Sequence, residues 1–441
     1  MLTPFGAGAR FKTAGSSTNT QHRFNLDRGR ISRREIAVDH NTMETLWDWI
    51  RLQLKPHPPP SLPRMRLSPE GHGNNPLMVL QFFTWESKHP DMSWWKHFET
   101  EVPTLAELGF TQIWLPPPNK AMTGQGYDAY DLVSEFNQKG TVATRWGSKN
   151  EFVQAIATAK AHGIDVLIDA VLNHKLGADR VESFKAVPVD PQNRLKSIGP
   201  VQEIEGWTAF DFSGRAGKYS NMKWTHEHFT GVDWDNRSRK NGIYRIVSDK
   251  HQGWSPFVDK ELGNYDYLLG VDVCTPFRSV STARSDAFQI DHRNPEVRKD
   301  ILEWAGWVLQ TTGAMGFRLD AIKHMDRRFL LTFVSLVSYV QCFETNYSID
   351  RIKPYIRAFE GLLTFFDVPL HYNFHKASKA GSSYDLRTIL NKTLVKERPG
   401  DAVTFVDNHD TQIGQTLESW VYSKFKLQAY ALILLREQGH P

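Results

Sequence analysis

Four short segments of this sequence each end an apolar run of strand length with carboxylates, imidazoles or a guanidinium. They read D-A-V-L-N-H (169–174), G-F-R-L-D-A-I-K-H (316–324), C-F-E (342–344) and F-V-D-N-H-D-T (405–411). Unpaired charge at the end of a buried strand costs several kcal/mol. In a parallel α/β barrel, however, active sites lie at the C-terminal ends of the strands. The four segments therefore favour an enzyme built on such a barrel.

Strand-like and helix-like segments alternate from Leu77 onward, which indicates a parallel sheet covered by helices. Residues 175–265 interrupt this alternation with a long stretch rich in Gly, Trp and Asp. A connection of that length inside a compact domain predicts a small folded insertion. We expect barrel strands at 78–85, 110–115, 164–172, 315–320, 339–344, 362–367 and 402–407.

Composition excludes several classes of protein. The formal net charge is +4, but residues 1–76 carry eleven Lys/Arg against six Asp/Glu, so the remainder is close to neutral. Nothing therefore points to a nucleic-acid partner. Two cysteines give no disulfide framework, and no apolar run is long enough to predict a membrane span.

The N-terminal part has a different composition from the rest. Residues 1–76 are rich in Ser, Thr, Arg and Pro, and we expect them to be disordered. The start has no apolar signal-peptide core, which predicts a cytoplasmic protein. Two alternatives stay open: the Arg-rich start through Arg34 is a mitochondrial transit peptide, or Met43 is the true start and residues 1–42 are spurious.

The charged strand ends resemble the conserved regions of the α-amylase family of glycoside hydrolases. The resemblance is greatest to the bacterial liquefying and fungal intracellular members. It implies an enzyme that cleaves α-1,4-glucosidic bonds of starch- or glycogen-type glucans internally and with retention, and that binds calcium. Further matching segments are M-V-L-Q-F-F-T-W-E (78–86), G-Y-D-A-Y-D-L (126–132), G-N-Y-D-Y-L-L-G-V-D-V (263–273) and F-F-D-V-P-L-H-Y (365–372).

Asp320 is the predicted nucleophile. A retaining glycosidase needs a carboxylate nucleophile and an acid about 5 Å apart. Asp320 ends the fourth barrel strand, and Arg318, two residues earlier, points the same way along it. A neighbouring guanidinium favours the ionised carboxylate that a nucleophile requires. The structural alternative is a buried Arg–Asp ion pair without a catalytic role.

The resemblance assigns other side chains to the substrate. Asp410 is the third catalytic carboxylate, which would bind sugar hydroxyls and distort the ring, and Tyr127 would be the aromatic platform beneath it. The substrate-binding set that the resemblance implies is Tyr127, His174, Arg318, Lys323, His324 and His409.

Glu344 is the candidate general acid. Relatives carry a G-E-Y-W-type segment at the end of the fifth strand, where this chain reads C-F-E-T-N-Y-S (342–348). Glu344 follows Asp320 at a suitable distance along the chain. Glu360, which precedes the sixth strand, is the alternative.

A single calcium ion with a structural role is also implied by the resemblance. Calcium takes six to eight oxygen ligands from carboxylates, amides and backbone carbonyls. The matching residues are Asn173, Asp266, Asp272 and the backbone carbonyl of His324. The ion would hold the inserted domain to the barrel.

The chain departs from the family pattern at two places. Residues 274–290 separate G-V-D-V (270–273) from D-H-R-N-P-E-V (291–297), which run together in the family, so we suspect an insertion there. The sequence also ends before the family's eighth strand and C-terminal β-domain. We thus predict an α/β fold, a (β/α)8 TIM-type barrel without strand 8, with a β-rich insertion after strand 3. The predicted division is 1–76 (extension), 77–174 (first part of the barrel), 175–265 (inserted domain) and 266–441 (second part of the barrel).

Two other functions stay open at this point. In a glucanotransferase, an acceptor sugar replaces water in the same chemistry. The suspected insertion and the missing strand would instead suit an inactive glucan-binding or vestigial protein. In each case the expected partner is an α-glucan or maltooligosaccharide, and we expect a monomer.

Overall fold

The computed structural model describes residues 77–122, 124–133, 142–216, 219–249, 253–258, 287–336, 340–342, 348–359, 361–415 and 417–441. The strands in these ranges are β1 (Val79–Gln81), β2 (Gln112–Leu115), β3 (Lys120–Ala121), β4 (Ala129–Asp131), β5 (Asp165–Ala170), β6 (His174–Leu176), β7 (Arg180–Val189), β8 (Gln202–Ala209), β9 (Phe229–Asp235), β10 (Lys240–Ile246), β11 (Ala287–Ile290), β12 (Gly316–Leu319), β13 (Val340–Cys342), β14 (Thr364–Phe366) and β15 (Ala402–Val403). The α-helices are α1 (Trp94–Glu107), α2 (Lys149–Ala161), α3 (Pro295–Thr312), α4 (Arg327–Leu336), α5 (Ile349–Phe359), α6 (Val368–Ala380), α7 (Leu394–Glu397) and α8 (Ser423–Leu434).

The larger sheet has the strand order β1-β2-β5-β12-β13-β14-β15, and every neighbouring pair in it is parallel. Helices alternate with these strands along the chain, as a parallel sheet requires. Apolar side chains of the helices pack on the strands in one large core, as Phe98 and Phe152 do beside Ile113. The predicted α/β class and the parallel barrel sheet are confirmed.

Local sequence signals explain where the helices begin and end. Ser148 and Glu151 form a capping box at the start of α2, in which each side chain accepts a hydrogen bond from the other's backbone N–H. Asn294 caps α3, which begins with Pro295 and ends at Gly313, where φ is 74°. Only glycine adopts that left-handed conformation without strain.

His440 and Pro441 lie between the two edge strands of the larger sheet. The His440 N–H donates to the Ala402 carbonyl at 2.9 Å, and the His440 carbonyl accepts from Thr404 at 2.7 Å. The Pro441 carbonyl accepts from the N–H of Val79, in β1, at 2.8 Å. The two edge strands of this sheet are therefore bridged here by backbone hydrogen bonds. The lack of a full eighth strand stays a prediction.

The second sheet is antiparallel and has the strand order β6-β11-β9-β10-β7-β8. It follows the third barrel strand, β5, where the sequence predicts an insertion. Its strand β11 belongs to the suspected insertion 274–290, so the last four residues of that segment take part in the fold. The rest of the segment, like residues 1–76, lies outside the described residues. The predicted domain limits stay predictions.

Predicted and observed element boundaries agree within a few residues for most elements. The largest differences are at the first and seventh barrel strands, where extended pairing stops after β1 and β15 although the apolar run continues. The residues beyond β15 instead form the turns that carry the charged motif. Within the part of the chain that the structure describes, no helix combines the length and apolar character needed to cross a membrane.

Candidate active site

The centre of the site is a charged cluster at the ends of two adjacent barrel strands. Strands β5 and β12 pair in parallel, with Arg318 in register with Asp169. Arg318 Nη1 donates to Asp169 Oδ1 and Oδ2 at 3.0 and 3.1 Å, and to Asp320 Oδ1 at 2.9 Å. The side chains of Arg318 and Asp169 are fully buried, whereas that of Asp320 is 19% exposed. The predicted Arg318–Asp320 pair is thus present, and Asp320 is its solvent-accessible member.

Asp169 is held by two aromatic side chains as well as by Arg318. The Tyr127 hydroxyl donates to Asp169 Oδ2 at 2.7 Å, and the Trp114 indole N–H donates to the same oxygen at 3.0 Å. Burial raises the pKa of Asp169 to about 6, against the opposing effect of Arg318 and with a further upward contribution from Asp320. At neutral pH the carboxylate is therefore largely ionised and can hold the guanidinium in place.

Arg318 keeps its charge in this buried position. Burial alone would lower its pKa, but the carboxylates of Asp169 and Asp320 outweigh that effect and raise the pKa above its ordinary value. Arg318 is therefore a permanently charged donor to the Asp320 carboxylate.

Asp410 and His409 follow β15 in the D-N-H-D turn. The Asn408 side chain accepts from the Asp410 N–H at 3.0 Å, which fixes the turn, and His409 Nε2 lies 3.4 Å from Asp410 Oδ1. The Asp410 carboxyl is 29% exposed. Its pKa is raised to about 6 by burial, while Arg318 acts in the opposite direction and Asp320 adds to the rise. Asp320 is therefore close enough to Asp410 for its charge to affect the pKa of that carboxyl.

His409 is buried in an aromatic stack. Its ring is nearly parallel to those of Tyr127 and Trp85, with centroids 5.2 and 6.0 Å away. Burial, followed by the positive charge of Arg318, lowers the pKa of His409 well below its usual value. The ring is therefore neutral at physiological pH and can donate one hydrogen bond and accept another.

Two more of the predicted substrate-binding residues lie beside this stack. His174 Nε2 donates to the backbone carbonyl of Tyr127 at 2.8 Å, which links the start of β6 to the aromatic stack. Lys323 lies in a 3-10 turn, Ile322–His324, after β12, and its positive charge lowers the pKa of Asp410. Asp320, Asp410, Tyr127, His174, Arg318, Lys323 and His409 are therefore brought to one region at the strand ends.

Four predicted residues lie outside the described part of the chain. These are the candidate acids Glu344 and Glu360 and the candidate calcium ligands Asp266 and Asp272. Strand β13 ends at Cys342, next to Leu319 of β12. The role of each of these four residues stays a prediction.

The two described candidates for the calcium site contact a glutamine. Asn173 Nδ2 donates to Gln289 Oε1 at 3.0 Å, and Gln289 Nε2 donates both to Asn173 Oδ1 and to the His324 carbonyl, the latter at 3.1 Å. The His324 side chain is buried. No group of three or more His, Cys, Asp or Glu side chains among the described residues could hold a metal ion. In this arrangement the Asn173 side-chain oxygen and the His324 carbonyl, which are candidate calcium ligands, both accept from the Gln289 amide.

Sequence reasoning missed four residues of the site. Asp169 begins the quoted segment D-A-V-L-N-H. Trp114, which donates to Asp169, and Trp85, which stacks on Tyr127, carry no local signal that separates them from core residues. Gln289 lies in a segment that the family pattern excludes.

Comparison with known proteins supports the assignment of this region. Residues 98–246 match the family model described as "Alpha amylase, catalytic domain". An alpha-amylase of Geobacillus stearothermophilus is 40% identical over 82% of this chain and 65% of its own length. A cytoplasmic alpha-amylase of Escherichia coli is 38% identical over 83% of this chain and 73% of its own length. The chain thus spans about two thirds of the length of these relatives.

A solved structure agrees at the level of the fold. The crystal structure of alpha-amylase I from Eisenia fetida superposes with a TM-score of 0.50 at 18% identity, covering 82% of this chain and 65% of the other. The charged cluster at the barrel strand ends, the sequence relatives and the shared fold agree with one another. This chain belongs to the alpha-amylase family of glycoside hydrolases.

Proposed function

We propose that this protein hydrolyses internal α-1,4-glucosidic bonds of starch- or glycogen-type glucans with retention of configuration. The observation that carries the proposal is the position of Asp320. Its carboxylate is partly exposed at a barrel strand end and is held by a fully buried Arg318. The guanidinium orients this carboxylate and leaves it accessible from solvent, as a nucleophile requires.

In the proposed reaction, a carboxylate oxygen of Asp320 attacks the anomeric carbon of the sugar. The bond from that carbon to the glycosidic oxygen breaks, and the departing oxygen takes a proton from Glu344. Water then attacks the glycosyl–enzyme ester, gives its proton to Glu344 and releases Asp320. Two displacements at one carbon restore the original configuration.

Asp410 and the aromatic stack would position the sugar. A carboxylate at Asp410 can accept hydrogen bonds from sugar hydroxyls, and neutral His409 can donate one beside it. Tyr127, stacked 5.7 Å from Trp85, gives a flat apolar surface of the kind on which sugar rings pack. Lys323 would meet the departing part of the glucan.

The anomer formed first tests this proposal. Proton NMR of a maltooligosaccharide digest should show the α-anomer before mutarotation, and Asp320→Asn should abolish product formation. Asp385→Asn, at an exposed carboxylate paired with Arg387, is the matched control and should leave the rate unchanged. Products longer than the substrate would identify a glucanotransferase. Binding of amylose without any release of reducing ends, unchanged by Asp320→Asn, would support a glucan-binding protein instead.

We also propose that the protein acts in the cytoplasm as a monomer. The relative from Escherichia coli is named a cytoplasmic alpha-amylase, which supports this location. Cell fractionation with an antibody to the native chain, and light scattering of the purified protein, test the two statements separately. The implied calcium ion stays a prediction. Two of its candidate ligand oxygens accept hydrogen bonds from Gln289.

A further inference from the structure

Gln289 lies at the junction between the barrel and the inserted sheet. It belongs to β11, the strand between β6 and β9, where it pairs with His174 on one side and Gly231 on the other. It is almost fully buried. Because successive side chains of a strand point to opposite faces, Ile290 points away from the face that Gln289 occupies.

The Gln289 carboxamide connects three separate elements. It forms a reciprocal amide pair with Asn173, in the segment between β5 and β6, and it donates to the carbonyl of His324, in the 3-10 turn after β12. That turn lies four residues beyond Asp320. One side chain of the inserted sheet is therefore bonded both to the end of the third barrel strand and to the segment that follows the nucleophile.

In the observed orientation, the Gln289 amide nitrogen occupies the position that a calcium ion would take between two oxygens. A calcium ion would need the Asn173 side-chain oxygen and the His324 carbonyl as ligands, and both of these oxygens accept from Gln289 Nε2. The observed orientation satisfies the same oxygens with no added charge.

The adjacent carboxylate is already neutralised within the protein. Asp291, two residues after Gln289, is buried and accepts from Arg293 Nε at 2.8 Å and from Arg293 Nη2 at 3.0 Å. A metal is therefore not required to balance this charge.

The sequence explains how a glutamine comes to lie here. Residues 288–290 read F-Q-I and directly precede D-H-R-N, the position at which V-D-V (271–273) would stand if residues 274–290 were removed. The two triplets share one apolar–polar–apolar pattern, so either can form the same strand. They differ in that one carries an aspartate and the other carries a neutral amide that donates hydrogen bonds.

We propose that the Gln289 carboxamide takes the place of the calcium ion in this chain and makes the junction between barrel and inserted sheet independent of metal. The full chain should then melt at the same midpoint, within about 1 °C, in EDTA and in millimolar CaCl2. After gel filtration in calcium-free buffer it should retain no stoichiometric calcium by elemental mass spectrometry. Stoichiometric calcium in the natural chain, together with a midpoint several degrees higher in CaCl2, would overturn the proposal.

Gln289→Glu is the informative variant, because it keeps the shape of the side chain and exchanges the donor for a carboxylate. It should melt below the natural chain in EDTA and should recover by several degrees in CaCl2. Gln202→Glu, at an exposed position of β8 in the same sheet, is the matched control and should respond to neither condition. A Gln289→Glu chain as stable in EDTA as the natural chain would contradict the proposal. If Gln289→Glu fails to fold in either condition, the calcium content and melting of the natural chain decide the matter.

Discussion

Arg318 and Asp169 form a fully buried ion pair in which a single guanidinium nitrogen, Nη1, contacts both carboxylate oxygens of Asp169 and also reaches Asp320. The pair joins the end of β5 to the end of β12. Asp320 is therefore oriented by Arg318, which is buried in the protein interior. Arg318 cannot move without breaking its ion pair with Asp169.

Arg318→Lys tests this arrangement. Lysine keeps the charge, but its side chain is shorter and its ammonium lacks the fixed plane of the guanidinium, so the nitrogen cannot take the position of Nη1 between the two carboxylates. We expect kcat/KM to fall by about 10²-fold, since small displacements of a catalytic group have effects of that size. The free energy of unfolding should fall by about 2 kcal/mol, less than the roughly 3–5 kcal/mol expected when one partner of a buried pair is removed.

Initial rates and urea unfolding measure these two effects. Arg387→Lys, at an exposed pair with Asp385, is the matched control and should change neither quantity. An Arg318→Lys enzyme with unchanged kcat/KM would show that Asp320 does not depend on Arg318.

Tyr127 contributes a hydroxyl and a ring, and two substitutions separate them. Tyr127→Phe removes the hydrogen bond to Asp169 and keeps the stack with Trp85 and His409. We expect a loss of about 1–2 kcal/mol in stability and little change in KM for maltooligosaccharides. Tyr127→Leu also removes the flat face and should raise KM severalfold. Equal KM values for the two variants would argue against a sugar platform at this position.

Asp410→Asn should separate stability from activity. The pKa of Asp410 is about 6 in the folded protein and lower, near 3.8, in the unfolded chain, so the folded state binds more protons between these values. The contribution of Asp410 to stability therefore decreases as pH rises from about 4 to 6, and its full penalty is present above pH 6. The asparagine variant avoids this penalty, because it has no charge to bury.

We thus expect Asp410→Asn to unfold at higher urea concentration than the natural chain at pH 7, by of order 1 kcal/mol, with little difference near pH 4. Its activity should be strongly reduced at both values. Buried His292 and His371, whose pKa values are lowered to about 4 by burial, change stability in the opposite direction with pH, so only the difference between the two chains is informative. If the stability gain of Asp410→Asn over the natural chain were smaller at pH 7 than at pH 4, the raised pKa of Asp410 would be contradicted.

The bridge formed by His440 is testable through its backbone. His440→Pro removes the N–H that donates to Ala402, and we expect a stability loss of about 1–3 kcal/mol from the unsatisfied carbonyl. His440→Ala keeps that N–H and serves as the control, with an effect limited to the side-chain contact with Gly400. If His440→Pro and His440→Ala melt at the same midpoint, the backbone bridge does not contribute to the closure of the sheet.

The sequence predicts the parts of the site whose residues are neighbours along the chain. Asp320 and Arg318 share a strand end, as do His409 and Asp410, so apolar runs followed by charges were sufficient to place them. The hydrogen bonds of Asp169 with Trp114 and Tyr127 depend on the register between different strands, which no local pattern contains. They appear only once the barrel is assembled.

The inserted sheet shows a second limit of sequence reasoning. Two triplets with the same alternation, V-D-V and F-Q-I, compete for one strand position, and the pattern alone favours neither. In the structure F-Q-I lies in β11, directly before Asp291 and the start of α3 at Asn294. The bridging role of His440 was likewise invisible, because two residues are too few to give a strand signal.

Trapping of the covalent intermediate tests the central claim most directly. An α-maltosyl fluoride with a second fluorine on the reacting ring slows the breakdown of a glycosyl–enzyme ester, so that the ester accumulates and peptide mass spectrometry can locate it. The account predicts one label, on the peptide that contains Asp320, and none in Asp320→Asn. A label on another carboxylate, or turnover that gives the β-anomer first and leaves no label, would contradict it.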